Sequence, residues 1–292
     1  ILVNNWEATY FDFNEEKILE IARKAKEVGV ELFVLDDGWF GARNDDWRGL
    51  GDWYCNMDKL ENGISGLSEK VEALGLKFGL WFEPERVGAW SRARSEHPEF
   101  LIKGRFLDFS NPKAREYMVE AISSQIDKYG IGWVKFDFND TIPYDETGSG
   151  FYRYLQGQKE FVQEIKRRYP DIYVTSCASG GYRMEMAQGA ISDSFWLSDN
   201  QGPVEGLRIV KDAIKRLPSS LIERWCVQKY CEGFLQYGQA EKVGRMIYCN
   251  NGTWDSLTTV TDSYAKAFMT GGPIGFSSDL EALPEKYRSF WK

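Results

Sequence analysis

Three apolar runs end in carboxylates, strand-like and helix-like segments alternate eight times, and no dinucleotide or nucleotide fingerprint follows the first strand. Together these predict an α/β chain closed into one (β/α)8 barrel of the TIM type, spanning residues 1–292 as a single domain. The runs are Leu35-Asp36-Asp37-Gly38-Trp39, Trp133-Val134-Lys135-Phe136-Asp137-Phe138-Asn139 and Phe195-Trp196-Leu197-Ser198-Asp199-Asn200. A fully apolar strand with an acid at its end fits a buried parallel strand that delivers a charged group to a rim. Right-handed β-α-β crossovers make a parallel sheet the default for such an alternation. An open doubly wound sheet is disfavoured because no Gly-x-Gly-x-x-Gly turn and no Walker sequence occurs.

The elements follow in order. Leu2–Trp6 reads as a first strand. Residues 15–29 carry Ile18, Leu19, Ile21, Ala22, Ala25 and Val28 at helical spacing, with Asn14 as cap and Gly29 as stop. Leu32–Leu35 is the second strand. A long irregular insertion over about 41–66 holds Trp47, Trp53 and Tyr54 among glycines, a length that points to function. Ser68–Leu74 is a helix, and Phe78–Phe82 a third strand ending in Glu83-Pro84-Glu85. Pro112 opens a helix to 129. Trp133–Phe136 is the fourth strand, 151–169 a helix, Ile172–Thr175 the fifth strand and Phe195–Leu197 the sixth. Strands near Trp225–Val227 and Pro273–Phe276 complete the eight, and 284–292 reads as a closing helix.

Composition narrows the chemistry. The 36 basic and 44 acidic residues give a formal charge of −8, which argues against nucleic acid and anionic membranes as partners. No apolar run reaches the length of a membrane span. The chain starts at Ile1 with no charged-then-apolar leader, which sets a cytoplasmic expectation. Five cysteines without a CxxC pair read as free, mostly buried thiols. The single histidine, His97, lies in a helix end running into Pro98, so triad hydrolysis and histidine-ligated zinc lose their main reagent. Acid–base work falls to carboxylates.

Aromatics make up 15% of the chain, with eleven Trp, and aromatic rings cover the apolar faces of sugars. Asp137 reads as a nucleophile or base, with Lys135 two residues earlier on the same side of its strand; a helix cap or structural ion pair is the competing reading. Asp199 reads as a proton donor, against a plain turn-initiating Asp-Asn. Asp36 and Asp37 point to opposite faces and still reach ligand hydroxyls from a strand end, against a metal or loop role. Two carboxylates on separate strands suit glycoside hydrolysis, and their separation decides its stereochemistry.

Several motifs resemble those of the glycoside hydrolase family 36 α-galactosidases. They are Asn4-Asn5-Trp6-Glu7-Ala8, Leu35-Asp36-Asp37-Gly38-Trp39, Gly51-Asp52-Trp53, Lys77 through Glu85, Lys135-Phe136-Asp137-Phe138-Asn139, Ser176-Cys177-Ala178-Ser179-Gly180-Gly181 and Ser198-Asp199-Asn200. They stand in family order over residues 4–200. The resemblance implies retaining cleavage of terminal α-galactose through a covalent glycosyl-enzyme, with Asp137 as nucleophile and Asp199 as acid/base. It also implies that Asp36 and Asp37 hold sugar hydroxyls and that Trp6 and Trp81 pack on the sugar. Lys135, Asn139, Cys177, Gly180 and Arg105 match further substrate contacts. An α-galactoside oligosaccharide is the implied partner, no metal or organic cofactor is implied, and a homo-oligomer is compatible. Asp140 stands where the family more often has a base, which is expected to alter charge near the site. The rival functions are an α-N-acetylgalactosaminidase of the same family and a carbohydrate-binding barrel without catalysis.

Overall fold

The computed structural model describes residues 1–143, 145–200, 203–227 and 272–277, with the single positions 267, 280 and 289. Eight parallel strands close into a barrel: β1 (Leu2–Asn4), β2 (Leu32–Leu35), β3 (Lys77–Phe82), β6 (Trp133–Phe136), β7 (Tyr173–Ser176), β8 (Ser194–Trp196), β9 (Ile222–Cys226) and β10 (Ile274–Phe276). Each barrel strand pairs with the next one in sequence, and β10 pairs back onto β1. The one departure is a small antiparallel hairpin, β4 (Leu101–Ile102) and β5 (Phe106–Leu107), inserted between β3 and β6.

Local chemistry explains the helix ends. In α2 (Glu15–Glu27) the Asn14 side chain accepts the Lys17 amide at 2.9 Å, satisfying a donor the helix itself leaves open. In α5 (Pro112–Tyr129) Asn111 caps in the same way, Pro112 sits where no amide hydrogen is needed, and Gly130 ends the helix in a left-handed turn. In α6 (Ser149–Arg168) Gly157 lets the helix lie against the Phe109 carbonyl, which a Cβ would meet at 1.8 Å.

Several boundaries differ from the sequence expectation by one to three residues, the strand expected near Trp225–Val227 starting already at Ile222, and two further differences have a local cause. The first strand stops at Asn4, because Asn5 onward turns into α1 (Trp6–Thr9), with the Thr9 and Tyr10 amides donating to the Asn5 and Trp6 carbonyls. Helix α3 runs from Gly63 to Ala73, five residues earlier than Ser68, since fully buried Ile64 and Leu67 extend the apolar stripe of Val71 past two glycines. The 41–66 insertion is therefore irregular only to Asn62. Short helix α4 (Arg92–Glu96) ends at His97, whose ring stacks on Phe100 and lies beside Tyr117. Helix α7 (Met186–Gly189) and α8 (Pro203–Ala213) flank β8. The closing helix expected over 284–292 falls outside the described residues apart from Ser289, as do Cys231 and Cys249.

The apolar mass lies between strands and helices, from Ile18, Ile21 and Phe33 through Val134, Ile122 and Ile165. A second layer of Leu2, Leu32, Val34, Cys177, Trp196 and Trp225 is drawn from β1, β2, β8, β9 and the end of β7. Polar groups join that layer. Glu223 Oε2 accepts from Thr175 at 2.7 Å and Ser194 at 2.6 Å, and its Oε1 accepts from the Trp225 indole. Among the described residues no helix is long and apolar enough to cross a membrane.

Candidate active site

The acids that end the strands meet at the C-terminal mouth. Phe82 is the register partner of Phe136, so the chain leaves β3 and β6 side by side, and the Asp137 amide donates to the Phe82 carbonyl at 2.9 Å. The Asp137 carboxylate is buried and held at both oxygens. Oδ1 accepts the Phe138 amide at 2.7 Å; Oδ2 accepts the Trp81 indole N–H at 3.2 Å and Asn139 Nδ2 at 2.9 Å. Trp81 is 1% exposed, and the contact its indole N–H makes is the one that holds Asp137. Asn139 likewise spends its amide nitrogen on Asp137 and on Glu83.

Asp36 and Asp37 take separate partners, as their opposite directions require. Asp36 Oδ2 accepts from Asn4 Nδ2 at 2.6 Å and from Lys135 Nζ at 3.0 Å, while its amide donates to Asn5 Oδ1. The direct partner of Lys135 is thus Asp36, not the nearer-in-sequence Asp137. Burial works against the Lys135 charge, but Asp36 first, then Asp137 and Asp199, outweigh it and hold the ammonium on. The ammonium also lies 4.7 Å from the centre of the Trp225 ring. Asp37 is gripped by the fully buried Arg43, with Nε at 2.9 Å from Oδ1 and Nη2 at 2.6 Å from Oδ2.

Asp199 lies three residues past β8, half-buried, and its Oδ1 accepts the Trp196 indole N–H at 2.9 Å. Burial, and then the negative charge of Asp137, push its carboxyl up to about 6; Lys135 and the Trp196 bond act the other way. The loop that supports it depends on Gly180. At φ +79°, a Cβ there would stand 2.8 Å from Ser198 Cα and 2.9 Å from the Asp199 nitrogen. Cys177 is buried as a free thiol, raised well above the ordinary range by burial and by Asp137. Cys55, half-buried, is also free.

Trp6 sits half-buried at the mouth, braced edge-on by Tyr10 and Phe11. Arg105 stays further out: it comes from the β4–β5 turn, is exposed, and pairs with Asp140. The acid at 140 therefore brings its own counter-charge. Arg105 and Asp46 also line a cleft of about 270 Å³ with Trp47, Arg94 and Lys103.

Sequence reasoning did not single out Glu83, Glu85, Arg43 or Arg183. The signal for the first two was present, since Glu83-Pro84-Glu85 ends an apolar strand as Asp137 does. Glu85 is buried and accepts both Arg183 Nη1 at 2.5 Å and the Tyr154 hydroxyl at 2.6 Å. No local pattern marks Arg43, which lies in the irregular segment after β2.

A parallel eight-stranded barrel that gathers carboxylates, a buried lysine and indole donors at its C-terminal face belongs to the (β/α)8 class, with its candidate site where that class places it. The comparisons sharpen that class. The Melibiase family model matches residues 1–227, and the chain belongs to that family. It is 43% identical over 228 residues to the α-galactosidase AgaA of Geobacillus stearothermophilus, covering 72% of this chain and 31% of that protein. It is 38% identical over 241 residues to the α-galactosidase Mel36A of Lactobacillus acidophilus, covering 76% of this chain and 33% of that one. The solved structure of the GH36 α-galactosidase AgaA superposes with a TM-score of 0.84 at 34% identity, covering all of this chain and 40% of the other. The chain thus spans about a third of the length of these curated relatives, and the expected barrel fold and family resemblance both hold.

Proposed function

We propose that this chain is the catalytic barrel of a retaining α-galactosidase. One carboxyl of the mouth, Asp199, is pushed up to about 6 beside a second carboxylate, Asp137, that is held by three donors; this unlike pair carries the reading. Asp137 attacks the anomeric carbon as the bond to the leaving oxygen breaks, and Asp199 gives its proton to that oxygen. Water then attacks the same carbon, its proton passes to Asp199, and the bond to Asp137 breaks to free the sugar. Asp36 and Asp37, fixed by Lys135 and Arg43, are the acceptors for the sugar hydroxyls, and Trp6 offers the ring for its apolar face. Variants of the Geobacillus enzyme were solved with stachyose and with raffinose, which supports short α-galactosides as the substrate class.

The test is turnover of an aryl α-galactoside and an aryl α-N-acetylgalactosaminide by this chain, with Asp137→Asn as the blank. The galactoside should be cleaved, and proton NMR should show the α-anomer of galactose forming first. Preference for the N-acetylated substrate would move the reading to the rival activity. First appearance of the β-anomer would rule out the covalent route. Sugar binding without turnover would favour a barrel that only binds.

A further inference from the structure

Glu83 is fully buried and stands outside the acid pair and the sugar-holding groups described above. The register of β3 and β6 brings it beside Asp137. Its Oε1 accepts the Asn139 amide at 2.9 Å and its Oε2 accepts Asn139 Nδ2 at 3.2 Å, so one carboxylate grips both the backbone and the side chain of Asn139. The same Nδ2 gives a hydrogen bond to Asp137 Oδ2 at 2.9 Å, while Asn139 Oδ1 accepts from Ser179 at 3.3 Å. Asn139 is therefore held on all sides with one N–H aimed at the attacking group.

On its other side Glu83 meets a chain of alternating charge. Arg86 Nη2 reaches Glu83 Oε2 at 3.0 Å and Asp46 Oδ1 at 3.2 Å. Arg43 Nη2 reaches the same Asp46 oxygen at 3.1 Å and Asp37 Oδ2 at 2.6 Å. Asp37, Arg43, Asp46, Arg86, Glu83, Asn139 and Asp137 thus form one path with no link longer than 3.2 Å.

We propose that Glu83 is a positioning residue that sets Asp137 through Asn139, and that Asp46 couples this hold to the Asp37 end of the site. The proposal rests on the reading of Asp137 as the attacking group. A buried carboxylate is costly unless paired, and Arg86 alone would satisfy the charge. The double grip on Asn139 adds the geometry: it removes the freedom of the amide to turn away from Asp137. Sub-ångström placement of a reacting atom is worth orders of magnitude in rate.

Replacing Glu83 by Gln puts an NH2 group among the donors of Asn139 and Arg86, so either orientation sets donor against donor. Glu83→Gln is expected to lower kcat on an aryl α-galactoside at least thirtyfold, with KM within threefold of wild type. Asn139→Ala should lose a similar factor, and the double variant should fall no more than about threefold below the worse single one. Losses that multiply would overturn the proposal. A crystal structure of Glu83→Gln should show the Asn139 side chain turned from Asp137, and an undisturbed bond between them would also overturn it. That readout needs no turnover: an inactive wild-type chain would sink the functional reading, while a displaced Asn139 in Glu83→Gln would still show that Glu83 sets Asn139 against Asp137. Asp46, 30% exposed at its side chain, gives a milder variant. Asp46→Asn should raise KM and lower kcat each by at least threefold, and a change in neither would remove the coupling.

Discussion

Trp81 and Asp137 are joined across neighbouring strands of the barrel: the indole N–H of Trp81 donates to Asp137 Oδ2 at 3.2 Å. The Trp81 backbone is anchored in turn, since its carbonyl accepts the Trp39 indole at 2.9 Å. The ring that the family resemblance implies as a sugar-packing surface thus also clamps a carboxylate through its N–H. Trp81→Phe keeps most of the ring and removes the donor, and a hydrogen bond to a charged group is worth roughly 1.5–3 kcal/mol. We expect kcat to fall by about tenfold or more in steady-state assays with an aryl α-galactoside, and an unchanged kcat would contradict the clamp.

Asp199 predicts two pH effects. As proton donor it must be protonated, so kcat/KM should decline above an apparent pKa of about 6, and Asp199→Ala should lose that limb. The same variant should harm poor leaving groups far more than activated aryl glycosides; equal losses would argue against the donor role. Stability runs the same way. The folded value of about 6 lies above the ordinary 3.8, so Asp199 contributes stability fully below about 4 and loses it as pH rises through 6. Denaturant melts of Asp199→Asn should show a flatter pH dependence, by about 2 kcal/mol over that window.

Arg43 holds Asp37 with a planar fork, which a lysine cannot reproduce. Arg43→Lys should destabilise the protein by about 1–3 kcal/mol and raise KM more than it lowers kcat, because a looser Asp37 weakens sugar binding. Urea unfolding together with steady-state kinetics checks both parts. Full retention of KM would separate Asp37 from substrate.

Gly180→Ala places a methyl against Ser198 and Asp199 at a positive φ that side chains resist. The cost in stability should be about 1–3 kcal/mol, but the loss in kcat should be at least tenfold, because Asp199 is displaced directly. Gly157→Ala is the control. Its Cβ would strike the Phe109 carbonyl, so it should lower the melting temperature without changing kcat per folded molecule.

The barrel was legible in the chain because its causes are local. Apolar runs of four to six residues, Asn14 and Asn111 as caps, Pro112 at a helix start and Gly130 at its end each act within a turn or a strand. The acids at strand ends were legible for the same reason. What the pattern missed were elements with weak local signals, such as the β4–β5 hairpin of two-residue strands and the turn of Trp6 into α1.

By itself, then, the sequence determined the eight barrel strands to within a few residues and which of them run into acids at their ends. Only the tertiary structure decided who meets whom. Lys135 stands two residues from Asp137 and yet bonds Asp36, 99 residues away, because barrel closure sets β2 and β6 at a spacing a lysine spans. Arg43 finds Asp37, and Glu83 finds Asn139, through the register of strands and the path of an irregular segment. Backbone propensity is a property of neighbours in the chain, whereas partner choice among buried charges depends on distances that exist only once the barrel has closed.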